Sequence, residues 1–449
     1  MNKIETPTQK ITVLLTDLVL ITLSYFIALF LRRPDLEVRN WDASLEVLPW
    51  ILVVSLFFLA AYEMYSFHRK TIWDIYSNIF IVTTFIMFFT MSASFMFRAF
   101  ALPRSVILLA YFLSIVLLIS FKLILVNTSR KTNEGTVLFV TREATDELKY
   151  LYPSLSSMSV KTISPDSSFD EVAEALVSAD CLMIGPDCPE DTKSKLIFYS
   201  MKNEKLVYVV PSLYDLLVSK SVITSLDDTM IVGVKPFGLS IDQLLVKRVF
   251  DIVLSLIMLI VLSPLFLIAA IAIKIEEPKG TIFYKQERAG RHNRPFMIYK
   301  FRSMVMNAEA LTGSTLAEQN DNRITKAGKF LRATRIDELP QLINVLAGHM
   351  SIIGPRPERE FFIQQFTKSN KSYQYRNTVK PGITGYAQIM GKYTTDVENK
   401  LRFDLYYIRN YSFWMDLVIL LRTINVVLDK TKAEGGATKP AKETKTIQM

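Results

Sequence analysis

Four apolar runs fill the first third of this 449-residue chain, approximately Ile11–Leu31, Val47–Phe67, Ile72–Phe97 and Pro103–Val126. Each has about the 20 residues that a helix needs to cross a ~30 Å hydrocarbon core. They predict a bundle of four transmembrane helices over residues 1–131. The first run is long and three more follow it, so a cleaved signal peptide is not expected. Asp17, near one end of the first run, is expected at the interface or facing another helix. Cation counting leaves the orientation open: Lys3, Lys10, Arg69, Lys70, Arg130 and Lys131 oppose Arg32, Arg33, Arg39, Arg98 and Arg104.

The rest of the chain is not membrane-like. Half of all residues are apolar and the mean hydropathy is +0.25, yet 21% are charged. A membrane part joined to a water-soluble part accounts for both, and the length allows roughly three folding units. The net charge of +9 favours anionic partners: nucleic acid, lipid headgroups or phosphorylated small molecules. Cys181 and Cys188 are the only cysteines, which excludes a disulfide framework and a Cys-based zinc site.

Between Gly135 and about Val234, β-rich runs (Thr136–Thr141, Val160–Ser164, Cys181–Gly185, Leu206–Val210) alternate with the helical stretches Phe169–Ser178 and Asp191–Asn203. That alternation predicts a small α/β, Rossmann-like domain with a parallel sheet, over residues 132–240. A dinucleotide site needs a glycine-rich turn after the first strand. Here the turn is Thr141-Arg142-Glu143-Ala144-Thr145-Asp146, without a glycine. A regulatory or assembly role is expected instead.

A fifth apolar run, Ile252–Ile273, carries no charge but has Ser263-Pro264 at its centre. Its length suits a crossing. Proline removes a backbone hydrogen bond and kinks or breaks a helix, which suits a segment that enters the membrane and returns. The residues alone leave both open.

Three clusters in the domain that follows carry candidate chemistry. The first, Tyr284–Arg294 with Tyr299–Arg302, reads as a hairpin around a Gly/Asn turn. Its cations Lys285, Arg288, Arg291, Arg294, Lys300 and Arg302 face the single acid Glu287, a balance suited to phosphates. The second is Arg332-Ala-Thr-Arg335-Ile-Asp337-Glu338-Leu-Pro-Gln341-Leu-Ile-Asn344. Leu339, Leu342, Ile343 and Leu346 form the expected buried stripe, with Asp337, Gln341 and Asn344 on a more polar face. Paired acids can decorate a helix start. Among so many cations, one carboxylate can instead attack phosphorus while its neighbour holds Mg²⁺. In the third, Gly354-Pro355-Arg356-Pro357, prolines on both sides preset the Arg356 guanidinium for phosphate recognition.

These clusters, with Lys247-Arg248-x-x-Asp251, Lys300-Phe301-Arg302-Ser303-Met304, Lys380-Pro381-Gly382-Ile383-Thr384-Gly385 and Asp404-Leu405-Tyr406-Tyr407, give the chain a resemblance. From about Leu244 to Leu428 it resembles the bacterial sugar transferases, the monotopic phosphoglycosyl transferases. The preceding helices and α/β domain resemble the long, polyprenyl-phosphate hexose-1-phosphate transferase branch. The resemblance implies a mixed α/β catalytic domain over 241–429, a re-entrant helix over 249–274 broken at Ser263 and Pro264, and a cytoplasm-facing site on the bacterial inner membrane. It implies transfer of hexose-1-phosphate from a UDP-sugar, glucose or galactose first, to undecaprenyl phosphate with release of UMP.

By the same resemblance Asp337 is the nucleophile, Glu338 the Mg²⁺ ligand, and Lys300, Arg302, Arg335, Arg356, Arg288 and Gln341 bind substrate. His349 stands where an acid is usual. The identity of the sugar and the oligomeric state stay open, and no nucleic-acid partner is expected. The competing readings are a silent scaffold of a polysaccharide assembly complex and a transferase that moves only the sugar and releases UDP. Residues 430–449, rich in Lys, Thr, Ala and Gly, read as a disordered tail.

Overall fold

The computed structural model describes residues 7–33, 38–66, 72–96, 102–131, 136–143, 145, 148, 158–306, 323–391 and 395–428. The tail 430–449, and Ala144 and Asp146 of the first α/β turn, lie outside the described residues. Packing divides the chain into two units, Met1–Ser212 and Leu213–Met449.

The first unit opens with α1 (Pro7–Leu31), α2 (Val38–Ala61), α3 (Ile72–Met96) and α4 (Arg104–Lys131). All four are long and apolar enough to cross a membrane, where hydrogen bonds inside each helix satisfy its backbone. Because α1 begins at Pro7, Asp17 lies near its middle and not near an end, and it faces another helix. It is buried against Lys122 of α4, whose Nζ donates to Asp17 Oδ2 at 2.7 Å and to the Met64 carbonyl at 3.0 Å. An acid near a helix centre costs roughly 2.5–3.5 kcal/mol in lipid, and this pairing offsets that cost.

The α/β part follows as β1 (Thr136–Val140), β2 (Ser159–Ile163), α5 (Phe169–Val177), β3 (Cys181–Ile184), α6 (Glu190–Lys202) and β4 (Leu206–Val209). The strands fall where the alternation puts them. They form one parallel sheet in the order β2-β1-β3-β4, with Val137 opposite Val160 and Cys181, and Cys181 opposite Leu206. Leu138, Val140, Leu182 and Ile184 are buried against Val172, Leu176 and Leu196 of the helices.

The second unit begins with α7 (Leu213–Val218) and the hairpin β5 (Val222–Leu226) and β6 (Thr229–Gly233). This segment belongs to the unit's core through Leu213, Leu216, Phe237 and Leu239. Arg409 fastens it by donating to the carbonyls of Ser219 and Lys235, both at 2.8 Å.

The fifth apolar run is two helices, α8 (Ile241–Val261) and α9 (Ser263–Glu276), bent by 61° at Leu262. Helix α8 starts earlier than hydropathy alone suggests because Ser240 N donates to Gln243 Oε1 at 3.0 Å and closes its first turn. Pro264 sits in the first turn of α9, where its missing N–H forfeits no bond, and Ser263 Oγ donates to the Ile260 carbonyl at 2.8 Å. Lys247, Asp251 and Ser255 share the buried face of α8, whereas Val249, Val253, Leu256, Ile257 and Ile260 are exposed.

Both arms are bound to the same folded body. Lys247 Nζ meets Asp416 Oδ2 at 2.6 Å, Arg248 donates to the carbonyls of Val345 and Leu346, and Asp251 Oδ1 accepts from Ser351 Oγ and Ile352 N. On the return arm Ala269 and Ile273 pack on Phe301 and Leu331.

The body contains the antiparallel pair β7 (Phe283–Ala289) and β8 (Pro295–Phe301), then α10 (Lys326–Ala333), α11 (Gln341–Leu346), β9 (Ser351–Ile353), β10 (Gly382–Thr384), α12 (Val397–Arg409) and α13 (Phe413–Leu428). Its core joins Phe296, Ile298, Val345, Ile353, Leu405, Tyr407 and Ile419. Truncating one of the buried aliphatics to Ala costs ~2–5 kcal/mol in such a setting. Helix α13 packs on the body through Asp416 and Ile419 yet leaves Phe413 and Trp414 half exposed.

Candidate active site

The segment read as one helix through Asp337 and Asn344 is divided. Arg335 adopts a left-handed conformation (φ 59°) that ends α10's extension, Ile336–Glu338 form a 3-10 turn, and α11 begins only after Pro340. Proline at that point suits the start of a helix and not its interior. The division changes which side chains are covered. Leu342 is buried as expected, but Ile343 is exposed and Val345 takes its place in the core. Asn344 is fully buried and ties α11 to β8, its Oδ1 accepting from Tyr299 N at 2.9 Å and its Nδ2 donating to the Met297 carbonyl at 2.7 Å.

Helix α10, which leads into the 3-10 turn, is fixed at both ends of its first turn. Thr325 Oγ1 accepts from Gly328 N at 3.0 Å, a standard N-cap. Glu276, the last residue of α9, accepts from Lys326 N at 2.6 Å and Ala327 N at 2.8 Å. A carboxylate at a helix N-terminus satisfies unpaired donors and the helix dipole together. Gly328 has no side chain because Ser303 occupies that space: a Cβ there would lie 2.0 Å from the Ser303 carbonyl oxygen.

Both acids of the dyad are buried, Asp337 at 8% and Glu338 at 7% exposure. Glu338 Oε1 accepts from Lys300 Nζ at 3.1 Å and from Arg356 Nη2 at 2.9 Å, with Arg335 Nη1 at 3.9 Å. Burial, the largest influence, raises the Glu338 pKa, but Arg356, Lys300 and Arg335 outweigh it and hold the carboxyl well below its ordinary range. Asp337 is treated differently. Its Oδ1 is buried and has no hydrogen-bond partner among the described residues. Burial and then the Glu338 charge push it up to about 6, against the pull of Lys300, Arg332 and Arg335. One carboxylate is locked by cations, and its neighbour is ionisable near neutral pH and unencumbered at one oxygen.

Arg356 reaches the dyad from a loop that backbone packing makes rigid. Cβ atoms on Gly354, Gly382 and Gly385 would each meet backbone atoms of the opposing segment at 2.5 Å or less, so the two motifs containing them need glycine for close approach. Arg376 supports the loop from beneath. Its Nη2 donates to the Arg356 carbonyl at 3.0 Å, its Nη1 to Tyr373 OH at 2.6 Å and its Nε to Asp404 Oδ2 at 3.1 Å.

The structure therefore brings Asp337, Glu338, Lys300, Arg335 and Arg356 together. Gln341 is buried one turn beyond the dyad. Arg288 lies farther along β7, donating to the Pro357 carbonyl at 3.3 Å and to Gln286 Oε1 at 2.7 Å. Arg302 turns to Thr281 Oγ1 at 2.6 Å. His349 stacks on Phe296, ring centroids 6.0 Å apart, at the end of β8 away from Lys300. Arg332, which opens the second cluster without an expected role, and Arg376, which the sequence does not mark, also bear on the site. Arg332 precedes the dyad by five residues and was legible as another cation nearby, whereas Arg376 sits in a polar stretch with no distinguishing pattern.

At the carboxyl ends of β1 and β3, where an open parallel sheet commonly binds ligands, Asp187 occupies the available donors. Its Oδ2 accepts from Arg142 N at 2.7 Å and its Oδ1 from Thr141 Oγ1 at 3.1 Å.

The bacterial sugar transferase family model matches residues 242–430. An uncharacterized sugar transferase, EpsL, of Bacillus subtilis is 41% identical over 187 residues, which are 41% of this chain and 88% of that relative. The chain belongs to the bacterial sugar transferase family. A UDP-N-acetylgalactosamine-undecaprenyl-phosphate N-acetylgalactosaminephosphotransferase of Aeromonas hydrophila is 46% identical over 186 residues, 41% of this chain and 44% of the relative. A UDP-glucose:undecaprenyl-phosphate glucose-1-phosphate transferase of Escherichia coli is 38% identical over 243 residues, 53% of this chain and 52% of the relative. The match thus spans about half the length of these two relatives, and the dyad, Lys300 and Arg356 lie within the residues that the family model matches.

Proposed function

We propose that this sugar transferase moves a sugar-1-phosphate from a UDP-sugar to undecaprenyl phosphate and releases UMP, through a covalent intermediate on Asp337. The observation that carries the reading is the unequal treatment of two adjacent buried acids. Glu338 is held by Lys300 and Arg356, while Asp337 keeps an oxygen without a hydrogen-bond partner among the described residues. An Asp337 oxygen attacks the phosphorus that bears the sugar. The P–O bond to the UMP phosphate breaks as the Asp337 O–P bond forms. A phosphate oxygen of the lipid then attacks the same phosphorus and displaces the Asp337 carboxylate, giving the lipid diphosphate-sugar. Lys300, Arg335 and Arg356, each partly exposed, neutralise the charge of the diphosphate, and cations held in fixed positions are effective at this.

Among the described residues no three His, Cys, Asp or Glu side chains gather into a metal cage. Mg²⁺ needs none, since it is often held by one or two carboxylates plus substrate phosphates. The adjacent Asp337 and Glu338 fit that sparser arrangement, with Glu338 as the ligand. When bound, the ion supplies charge neutralisation at the diphosphate.

The acceptor is a lipid, and the bent helix pair supports a site at headgroup level. Beyond Leu254, which packs on the body's core, α8 has only seven residues before the bend, ~10 Å of helix. That is far short of a ~30 Å hydrocarbon core, and α9 returns to the same body. We read α8 and α9 as re-entrant, with the site on the cytoplasmic face of the inner membrane, where UDP-sugars are made.

The test is a panel of UDP-glucose, UDP-galactose, UDP-N-acetylglucosamine and UDP-N-acetylgalactosamine with undecaprenyl phosphate and Mg²⁺. UMP release with any of them supports the proposal and identifies the sugar. Release of UDP assigns a sugar-only transfer, and no turnover with any member assigns the scaffold role.

A further inference from the structure

A second concentration of positive charge lies away from the dyad, at the turn end of the β7–β8 hairpin. A cavity of about 390 Å³ opens there, lined by Arg291, His292, Arg294, His349, Lys380 and Phe296 among others. Its size is in the range of small-ligand sites. Among the described residues no acidic side chain lines it. From Pro295 to Lys300 the strand advances ~16 Å, so this cavity and the dyad occupy opposite ends of β8. Asn344 bridges α11 and β8 between the two.

The cavity is built, not incidental. The turn is held in shape by His292 and Asn293, both left-handed (φ 55° and 59°), and by Gly290 N donating to the Arg294 carbonyl at 2.9 Å. Arg291 Nε donates to the Thr378 carbonyl at 3.2 Å, which fixes that guanidinium at the wall. Gly348 (φ 86°) forms part of the lining, and a Cβ there would lie 3.6 Å from Arg248 Nη2 and 3.8 Å from Lys380 Nζ. Two cations from separate segments, Arg248 and Lys380, therefore meet behind one glycine. Phe296, almost fully buried, and Pro295 supply an apolar wall.

We infer that this cavity is a second anion-binding site, which takes a phosphate-bearing ligand independently of the dyad. Cations crowded in a partly enclosed space repel one another and are stabilised by an anion that bridges them. Lys380 records the crowding: burial first, then Arg248, Arg291 and Lys247, press its pKa down, with Asp251 opposing. Arg248 and Arg291 each have part of their donor capacity committed to carbonyls. Arg294 and Lys380 are the side chains best able to meet a ligand. The phosphate could be a membrane headgroup or a soluble compound, because the exposed apolar face of α8 adjoins Arg248.

The probe is inorganic pyrophosphate, titrated calorimetrically into the full chain in neutral detergent, into nanodiscs of phosphatidylcholine and into nanodiscs of phosphatidylglycerol. Saturable binding is expected in detergent and phosphatidylcholine, weakened at least tenfold in Lys380→Gln and in Arg294→Gln but retained in Arg356→Gln. Loss of that binding in phosphatidylglycerol would assign the site to a lipid headgroup, and its persistence to a soluble phosphate. Arg294 lies on the hairpin turn, so Arg294→Gln decides the matter if Lys380→Gln fails to fold. Absence of saturable binding in detergent and phosphatidylcholine alike, or binding that is lost in Arg356→Gln alone, overturns the inference. Neither result bears on the UMP assay, so this site and the catalytic reading stand or fall separately.

Discussion

Arg376 carries the carbonyl of Arg356 on its guanidinium, 3.0 Å away, while the same group holds Asp404 at 2.9 Å. A buried fork with three partners sets the position of a side chain that reaches the dyad. Arg376→Lys keeps the charge but cannot span Asp404, Tyr373 and the Arg356 carbonyl together. Its kcat/KM for UDP-sugar is expected to fall about 10- to 100-fold, the effect of a misplaced catalytic neighbour. Wild-type kinetics in a variant with an unchanged melting temperature would show that the Arg356 loop does not depend on this fork.

Asp337→Asn is expected to abolish UMP release without lowering the melting temperature at pH 7. The folded-state pKa of Asp337 lies above its unfolded value, at about 6. Its charged form is therefore disfavoured in the fold, and the associated stability is present at low pH and lost as pH rises through that value. An amide removes the buried charge at constant volume. A clear drop in melting temperature would mean that Asp337 has a structural partner.

The same pKa sets the acid limb of the rate profile. As pH falls through about 6, Asp337 gains a proton, and kcat/KM should decline about tenfold per unit below it. In Glu338→Gln the nearby negative charge is gone, while Lys300 and Arg335 still pull the Asp337 pKa down. Whatever activity remains in that variant should show its acid limb at lower pH. A limb that stays near 6 would detach the profile from this carboxyl.

Truncation tests where the catalytic unit begins. A chain starting at Leu213 keeps α7, the β5–β6 hairpin and the partners of Arg409, and is expected to fold and release UMP in detergent. A chain starting at Ile241 exposes the surface that Leu216, Phe237 and Leu239 cover and strips Arg409 of its acceptors. Apolar surface returned to water costs roughly 25 cal/mol per Å², so this shorter chain should be less stable. Equal melting temperatures for the two would place residues 213–240 outside the folding unit.

The bend at Leu262 is open to a topology measurement. Single cysteines near Lys247 and near Lys279, in a background without Cys181 and Cys188, can be treated with an impermeant thiol reagent in intact cells. Protection at both positions is expected. Labelling of the Lys279 position alone would mean that the segment crosses the membrane.

Much of this was legible in the residues. Period and run length located α1 to α4 and the strands of the parallel sheet, since a 20-residue apolar run and a short β-branched run leave few alternatives. The acidic pair Asp337-Glu338 among basic clusters drew attention to this region, and the family resemblance gave Asp337, Glu338, Lys300 and Arg356 their expected roles. What the pattern missed was set by contacts between distant segments. Ile343 continues an apolar stripe by spacing yet faces out, because Pro340 starts a new helix at a different phase. Arg302 and Arg288 look like Lys300 in the sequence, but Thr281 and the Pro357 carbonyl claim them. Nothing around Arg376 distinguishes a buried fork from a surface cation, and its role exists only once Asp404 and the Arg356 loop are folded against it.

Lys247, Arg248 and Asp251 turn inward from α8 and complete the body beneath it. Replacing α8 with an unrelated hydrophobic anchor would leave the Asp416 carboxylate, the carbonyls that end α11 and the Ile352 amide without their partners. Helix α8 is consequently not an exchangeable tether. For this chain, moving the enzyme to another membrane address would require carrying α8 along, and recombination that swaps anchors should find no viable junction between Ser240 and Glu276.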